Sequence, residues 1–152
     1  MSLGNIFGIA GTALNAQLVR MNATASNLAN AGTTASSEAE AFKAKRTVFK
    51  ALVNENLTNA GAPYVGGVKV DRMQEDSTPI QAIYDPSNPL ADAAGYIYPA
   101  NVNEVTEMVD MMASSRSYQN NVEVVNTARQ LERAQHQLAR GVYDFDVVLV
   151  RA

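Results

Sequence analysis

The chain has 152 residues and a 47% hydrophobic fraction, enough for one ordinary domain. With no Trp, four Phe and six Tyr, however, the large side chains that anchor a compact core are scarce. A net charge of -3 and a pI near 5.1 argue against nucleic acid, because phosphate binding needs a clustered basic surface, and the absence of cysteine excludes a disulfide framework, a thiol nucleophile or a thiolate metal site.

Residues 1–37 carry one charged side chain, Arg20, yet are too rich in Asn, Ser, Thr and Gly to span a membrane. Gly4, Asn5, Gly8 and Gly11 interrupt the opening apolar run and no basic residue precedes it, so no cleavable secretory signal is expected. Phe7, Leu14, Met21 and Leu28 recur every seven residues, with Leu3, Ala10, Leu18 and Ala25 between them. This spacing predicts a helix over 1–32 with one narrow apolar seam, opening at Ser2 or Asn5 and closing between Asn30 and Gly32. Gly8 and Gly11 weaken it by about 1 kcal/mol each, so it is expected to order only when packed.

Residues 33–100 read as a linker and a small β-rich insert. Thr33 to Ala41 is a small, polar, acidic joint. Strand character follows over 42–53, over 65–73 entered through Gly66 and Gly67, and over 79–84, with a polar loop over 54–63. Lys43, Lys45, Arg46 and Lys50 form the only basic cluster and read as a solvated strand face. Val68 and Val70 alternate with Lys69 and Asp71, as a half-buried strand requires. The run Asp85-Pro86-Ser87-Asn88-Pro89 is a turn, followed by an extended Gly95-Tyr96-Ile97-Tyr98-Pro99.

A second helix is predicted over 101–140. Asn101 with Glu104 offers a capping box, and Glu104, Glu107 and Asp110 place acids where the helix dipole favours them. Val105, Met108, Met112, Val122, Val125, Leu131 and Leu138 supply an apolar stripe, Ser114 to Asn121 is more polar, and Gly141 is the expected stop. In the atypical tail, 141–152, Tyr143, Phe145 and Val147 alternate with Asp144 and Asp146, which reads as strand-like. At 1.5 Å per residue the two helices span about 40 Å and about 55 Å. A globule of this size is only about 40 Å across, so the second helix must project from it. The expected fold is mainly α with a small β insert: long N- and C-terminal helices forming a coiled-coil-like pair, with a short antiparallel β region between them.

No catalytic constellation emerges. The single histidine, His136, lies among Gln135, Gln137 and Arg133 without a carboxylate–nucleophile arrangement. The three acids of the second helix are already accounted for by its dipole, and the glycine-rich spots lack phosphate-loop spacing. No cofactor or metal is expected, and the chain reads as non-catalytic. Asn27 and Asn30 flank the seam residue Leu28, where an amide buried between subunits would fix register. The candidate subunit-packing residues are Phe7, Leu14, Leu18, Met21, Ala25, Asn27, Leu28 and Asn30 on the first helix. On the second they are Val105, Met108, Met112, Tyr118, Val122 and Val125.

The run Ala25-Ser26-Asn27-Leu28-Ala29-Asn30-Ala31-Gly32-Thr33 resembles the amino-terminal signature of the flagellar axial proteins. The segments Asp85 to Asp92, Gly95-Tyr96-Ile97, Asn101-Val102-Asn103, Glu107-Met108-Val109 and Ser115 to Val122 resemble the flagellar basal-body rod protein family, in particular its proximal rod subunits. The resemblance covers the chain from Ser2 to about Arg129. Ala100 stands where the family has proline, and the sequence departs from the family after Arg129.

The resemblance implies a non-enzymatic subunit of the bacterial flagellum, exported unfolded through the type III export apparatus. It would assemble in the periplasm, in the rod of the basal body. The terminal helices would then form the inner layer of a hollow drive shaft, with the β insert outside. The implied partners are copies of itself, other rod subunits, the adapter joining rod to membrane ring and, as further neighbours, the surrounding ring proteins. A helical adaptor or export chaperone using the same seam is the alternative reading, and an enzyme built on Glu104 and His136 is a remote one.

Overall fold

The computed structural model describes residues 3–52 and 66–149, with side chains described over 4–52 and 66–138. The polar loop read over 54–63 lies outside the described residues. Among the described residues two helices, α1 (Leu3–Asn30) and α2 (Glu104–Leu149), enclose five strands in sequence: β1 (Thr34–Ala35), β2 (Lys45–Ala51), β3 (Val68–Glu75), β4 (Ile83–Tyr84) and β5 (Tyr96–Pro99).

α1 and α2 run antiparallel. Asn27, near the end of α1, meets Glu107 in the first turns of α2, while Ile6 lies beside Val124, Ala128 and Leu131. What lets the helices approach is the smallness of the buried residues. Among the described residues six of the seven buried hydrophobic side chains are alanines, Ala10, Ala16, Ala23, Ala41, Ala44 and Ala128, and the seventh is Ile97. Ser114 and Thr24 are buried beside them. On α2 the inward line is Glu107, Met111, Ser114, Tyr118, Asn121, Val125 and Ala128, each buried or half-buried, at the alternating four- and three-residue spacing of a helix seam. With 46 residues, α2 is about 69 Å long against about 42 Å for the 28 residues of α1. Its far end therefore runs past the start of α1.

β2 and β3 form an antiparallel hairpin packed on α1. Thr47 pairs with Met73 and Val48 with Arg72, but Phe49 pairs with Val70, so Asp71 is the extra residue of a bulge. The hairpin closes on α1 through Thr12, whose hydroxyl donates to the Ile9 carbonyl at 2.8 Å and accepts from the Val68 N–H at 3.2 Å. A Cβ on Gly67 would lie 3.0 Å from that hydroxyl, and this explains the glycine there. β5 is the centre of a second small sheet, with β1 and β4 on its two sides, and Ile97 on β5 is its buried residue. Asp85, Asn88 and Asp92 side chains accept backbone N–H groups in the intervening loop. Gly95 takes a φ of 83° that L side chains avoid.

Four expectations change. α2 is capped by Asn103, whose side-chain oxygen accepts the Thr106 N–H at 3.0 Å. Asn101 is instead turned to β2 and the loop after β3: it accepts from the Ala44 N–H at 2.7 Å and donates to the Asp76 and Thr78 carbonyls. Gly141 does not stop α2, which continues to Leu149 through the segment read as strand-like; one glycine costs about 1 kcal/mol, which a long helix absorbs. Residues 33–41, read as a joint, contain β1, because Thr34 and Ala35 find partners in Pro99 and Tyr98.

Candidate functional site

At 100° per residue, Phe7, Leu14, Met21 and Leu28 lie between about a quarter and about half a turn from Ala16, Ala23 and Asn27 on α1. They are half-buried, while Leu18 and Ala25 are exposed. On α2, Tyr118, Val122 and Val125 are half-buried. Val105, Met108 and Met112 are 72%, 47% and 65% exposed, and Val109 between them is 56% exposed. Those four occupy one side of α2, opposite the inward line that starts at Glu107. Further along, Val124, Leu131 and Leu138, also exposed, recur every seven residues. Beside the first two, an apolar groove of about 360 Å³ opens between Ile6, Val124, Ala128 and Leu131.

At the junction of α1, β2 and α2 lies a buried polar cluster. Asn27 is fully buried. Its side-chain oxygen accepts the Lys45 N–H at 2.8 Å, and its amide nitrogen donates to the Lys45 carbonyl at 3.0 Å and to Glu107 Oε2 at 2.9 Å. Asn27 therefore pairs with Lys45 as a neighbouring strand would, and all its bonds are made inside the chain. Asn30, half-buried, donates to the Ser26 carbonyl one turn earlier. Glu107, also fully buried, accepts from Arg46 with its other oxygen. Arg46 in turn lies 3.5 Å from Asp76 and 3.8 Å from Asp110. Partial burial pulls the Arg46 pKa down, but Glu107 and then Asp76 outweigh it, and the guanidinium is held above its ordinary value. The hydroxyl and N–H of Thr78, with Arg46 behind them, hold the Asp76 carboxyl below the usual carboxylate range.

This cluster was not legible in the sequence. Glu107 had a sufficient explanation in the helix dipole, and Arg46 belonged to a run read as a solvated strand face. The one available signal was the poor helix propensity of Asn27 inside an otherwise regular pattern. No group of His, Asp and Glu among the described residues could hold a metal ion, and no described helix is long and apolar enough to cross a membrane. His136 is exposed on the projecting part of α2.

Known proteins match most of the chain. Residues 7–35 match a family described as flagella basal body rod protein, and residues 93–138 match the flagellar basal body rod FlgEFG protein C-terminal family. The flagellar basal-body rod protein FlgC of Escherichia coli O6:H1 is 47% identical over 131 residues, covering 86% of this chain and 93% of its own length. The Salmonella typhimurium protein of the same name is 46% identical with the same coverage. The Bacillus subtilis one is 33% identical over 140 residues, covering 85% of this chain and 93% of its own length.

Proposed function

The chain belongs to the FlgC family of flagellar basal-body rod proteins, and from that membership we propose that it polymerises through α1 and α2 into a hollow, torque-transmitting shaft. It is a structural subunit of the basal-body rod and not an enzyme. The observation that carries the proposal is the exposed apolar line Val105, Met108, Val109 and Met112 on a helix whose other side is already packed on α1. Apolar side chains aligned over two helical turns gain stability only when another surface covers them. The antiparallel pair acts in this reading as a coiled-coil-like unit of the inner layer, and the strands face outward. Copies of itself and other rod subunits lie along the shaft; the rod-to-ring adapter and the ring proteins are its outer neighbours. Passage through the type III export apparatus to the periplasm, without a cleaved signal, fits a chain with so few large core residues. The adaptor or chaperone reading is not favoured, since the relatives are named as rod proteins over nearly their whole length.

The test is complementation of a strain lacking this protein with the wild-type chain and with Met112→Asp. Basal bodies are then imaged by electron microscopy. Wild type is expected to restore rods, and Met112→Asp to leave them truncated. Complete rods without the chain would refute the proposal. A second measurement compares the helix content of monomer and polymer by circular dichroism, and a rise on assembly is expected.

A further inference from the structure

A cavity of about 200 Å³ opens where α1, β2 and α2 meet, and its wall includes Arg20, Thr24, Lys45, Arg46, Asp110 and Ser114. Of its three cations only Arg46 has carboxylate partners among the described residues, namely Glu107, Asp76 and Asp110. The Arg20 guanidinium lies 4.6 Å from the centroid of the Phe49 ring and the Lys45 ammonium 5.7 Å from that of Phe42. Neither contact occupies the hydrogen-bond donors of a cation. Ser114 is 1% exposed and its hydroxyl has no hydrogen-bond partner among the described residues. A helical serine ordinarily donates to the carbonyl one turn back, as Ser117 does to Ala113 at 2.9 Å. The wall thus combines two cations without acids and one buried hydroxyl without a partner.

An acceptor is what these groups lack. A cation would be repelled by Arg20 and Lys45, and a neutral acceptor would leave both charges unmatched. A carboxylate satisfies the hydroxyl and forms charge-assisted bonds with either cation. Asp110, the acid already on the wall, leans toward Arg46 and is half exposed, so the Arg20 and Lys45 side is the one left for an incoming acid.

We propose that this cavity receives an aspartate or glutamate side chain of an adjacent rod subunit. The inference rests on the rod reading and adds to it a specific polar contact. The test is carbodiimide treatment of isolated basal bodies, which condenses the Lys45 amine with a touching carboxylate into an amide, followed by peptide mass spectrometry. An amide between Lys45 and an acid of another subunit is expected in basal bodies and not in purified monomer. Its yield is expected to fall at least fivefold in Ser114→Ala and Arg20→Gln, two variants that leave the lysine in place. Linkage of Lys45 only to Asp110 of its own chain, or no linkage in basal bodies that contain the chain, would overturn the proposal while leaving the rod reading intact. So would an inorganic phosphate titration that shifts the Ser114 amide resonance of the monomer while basal bodies give no linkage, since the cavity would then be a small-anion site. Absence of the chain from basal bodies would overturn both.

Discussion

Replacing Asn27 by Asp changes one atom type at a fully buried position and isolates what the polar junction contributes. The amide nitrogen now donates to the Lys45 carbonyl and to Glu107, and both bonds are lost in the variant. The new oxygen stands where the nitrogen was, 2.9 Å from Glu107 Oε2. Two full charges at about 3 Å repel by about 5.5 kcal/mol at an effective dielectric constant of about 20. The variant escapes part of that by taking up one proton between the two carboxylates. At pH 7, three units above the ordinary carboxylate range, the proton costs about 4 kcal/mol at about 1.4 kcal/mol per unit. That figure is the ceiling on the charge penalty, and the shared proton restores one of the two donors. The expected loss at pH 7 is about 3–5 kcal/mol, out of the about 5–15 kcal/mol of a typical domain. The sign with pH follows directly. The folded variant binds one proton more than the unfolded chain, so its stability falls as pH rises, by about 1.4 kcal/mol per unit above the ordinary carboxylate range. Urea unfolding followed by circular dichroism at pH 5 and pH 7 reads this as a gap between variant and wild type that narrows by about 3 kcal/mol at the lower pH. A gap below 1 kcal/mol at pH 7, or one unchanged between the two pH values, would refute the assignment of Asn27 as an internal clamp.

Three further outcomes follow from the same geometry. Removing the charge of Arg46 or of Glu107 singly is expected to cost more than the pair is worth, since each leaves a buried group unmatched; a double-mutant cycle with Arg46→Met and Glu107→Gln, read by urea unfolding, should return a coupling of about 1–3 kcal/mol. Because Asp76 is held below the usual carboxylate range by Thr78 and Arg46, its contribution is present above that range and lost as pH falls through the lowered value; wild type should lose more stability than Asp76→Asn between pH 5 and pH 3 in thermal melts. A Cβ on Gly95 would lie 2.9 Å from the Tyr84 ring at a φ of 83°, so Gly95→Ala should lower stability by more than about 1 kcal/mol and alter the near-ultraviolet dichroism of the edge-to-face Tyr84–Tyr96 pair.

The long helices and the strands β2 and β3 were legible because each rests on a local pattern. The helix pair was harder. Reading for large apolar side chains selects Phe7, Leu14, Met21 and Leu28, whereas the buried positions of α1 are Ala10, Ala16, Ala23, Thr24 and Asn27. Close approach rewards small residues, which hydrophobic periodicity scores weakly. The inward line of α2 was hidden for a related reason, since Glu107, Ser114 and Asn121 within it are polar. Those polar positions are tolerated because Glu107 finds Asn27 and Arg46, partners 80 and 61 residues away in sequence that no spacing rule connects. β1 and β4, two residues each, are specified by their pairing with β5 and not by any alternation of their own.

The division of labour on α2 has an energetic consequence. Its inner side supplies register: Glu107 fixes where the helix sits against Asn27 and Arg46, and the small residues beyond it allow contact without adding much buried apolar area. Its exposed apolar residues, Val105, Met108, Val109, Met112, Val124, Leu131 and Leu138, each retain about half or more of their surface to water. At about 1.5–3 kcal/mol for full burial of such a side chain, covering what remains exposed is worth about 1 kcal/mol apiece, or about 7 kcal/mol together. That is of the same order as the whole stability of an ordinary domain. A monomer that withholds so large a share of its hydrophobic stabilisation is easy to unfold, and in the proposed assembly the same residues would make the polymer hard to take apart. In the proposed assembly the polar junction would determine which geometry is presented to the neighbours, and the exposed stripe how firmly they hold it.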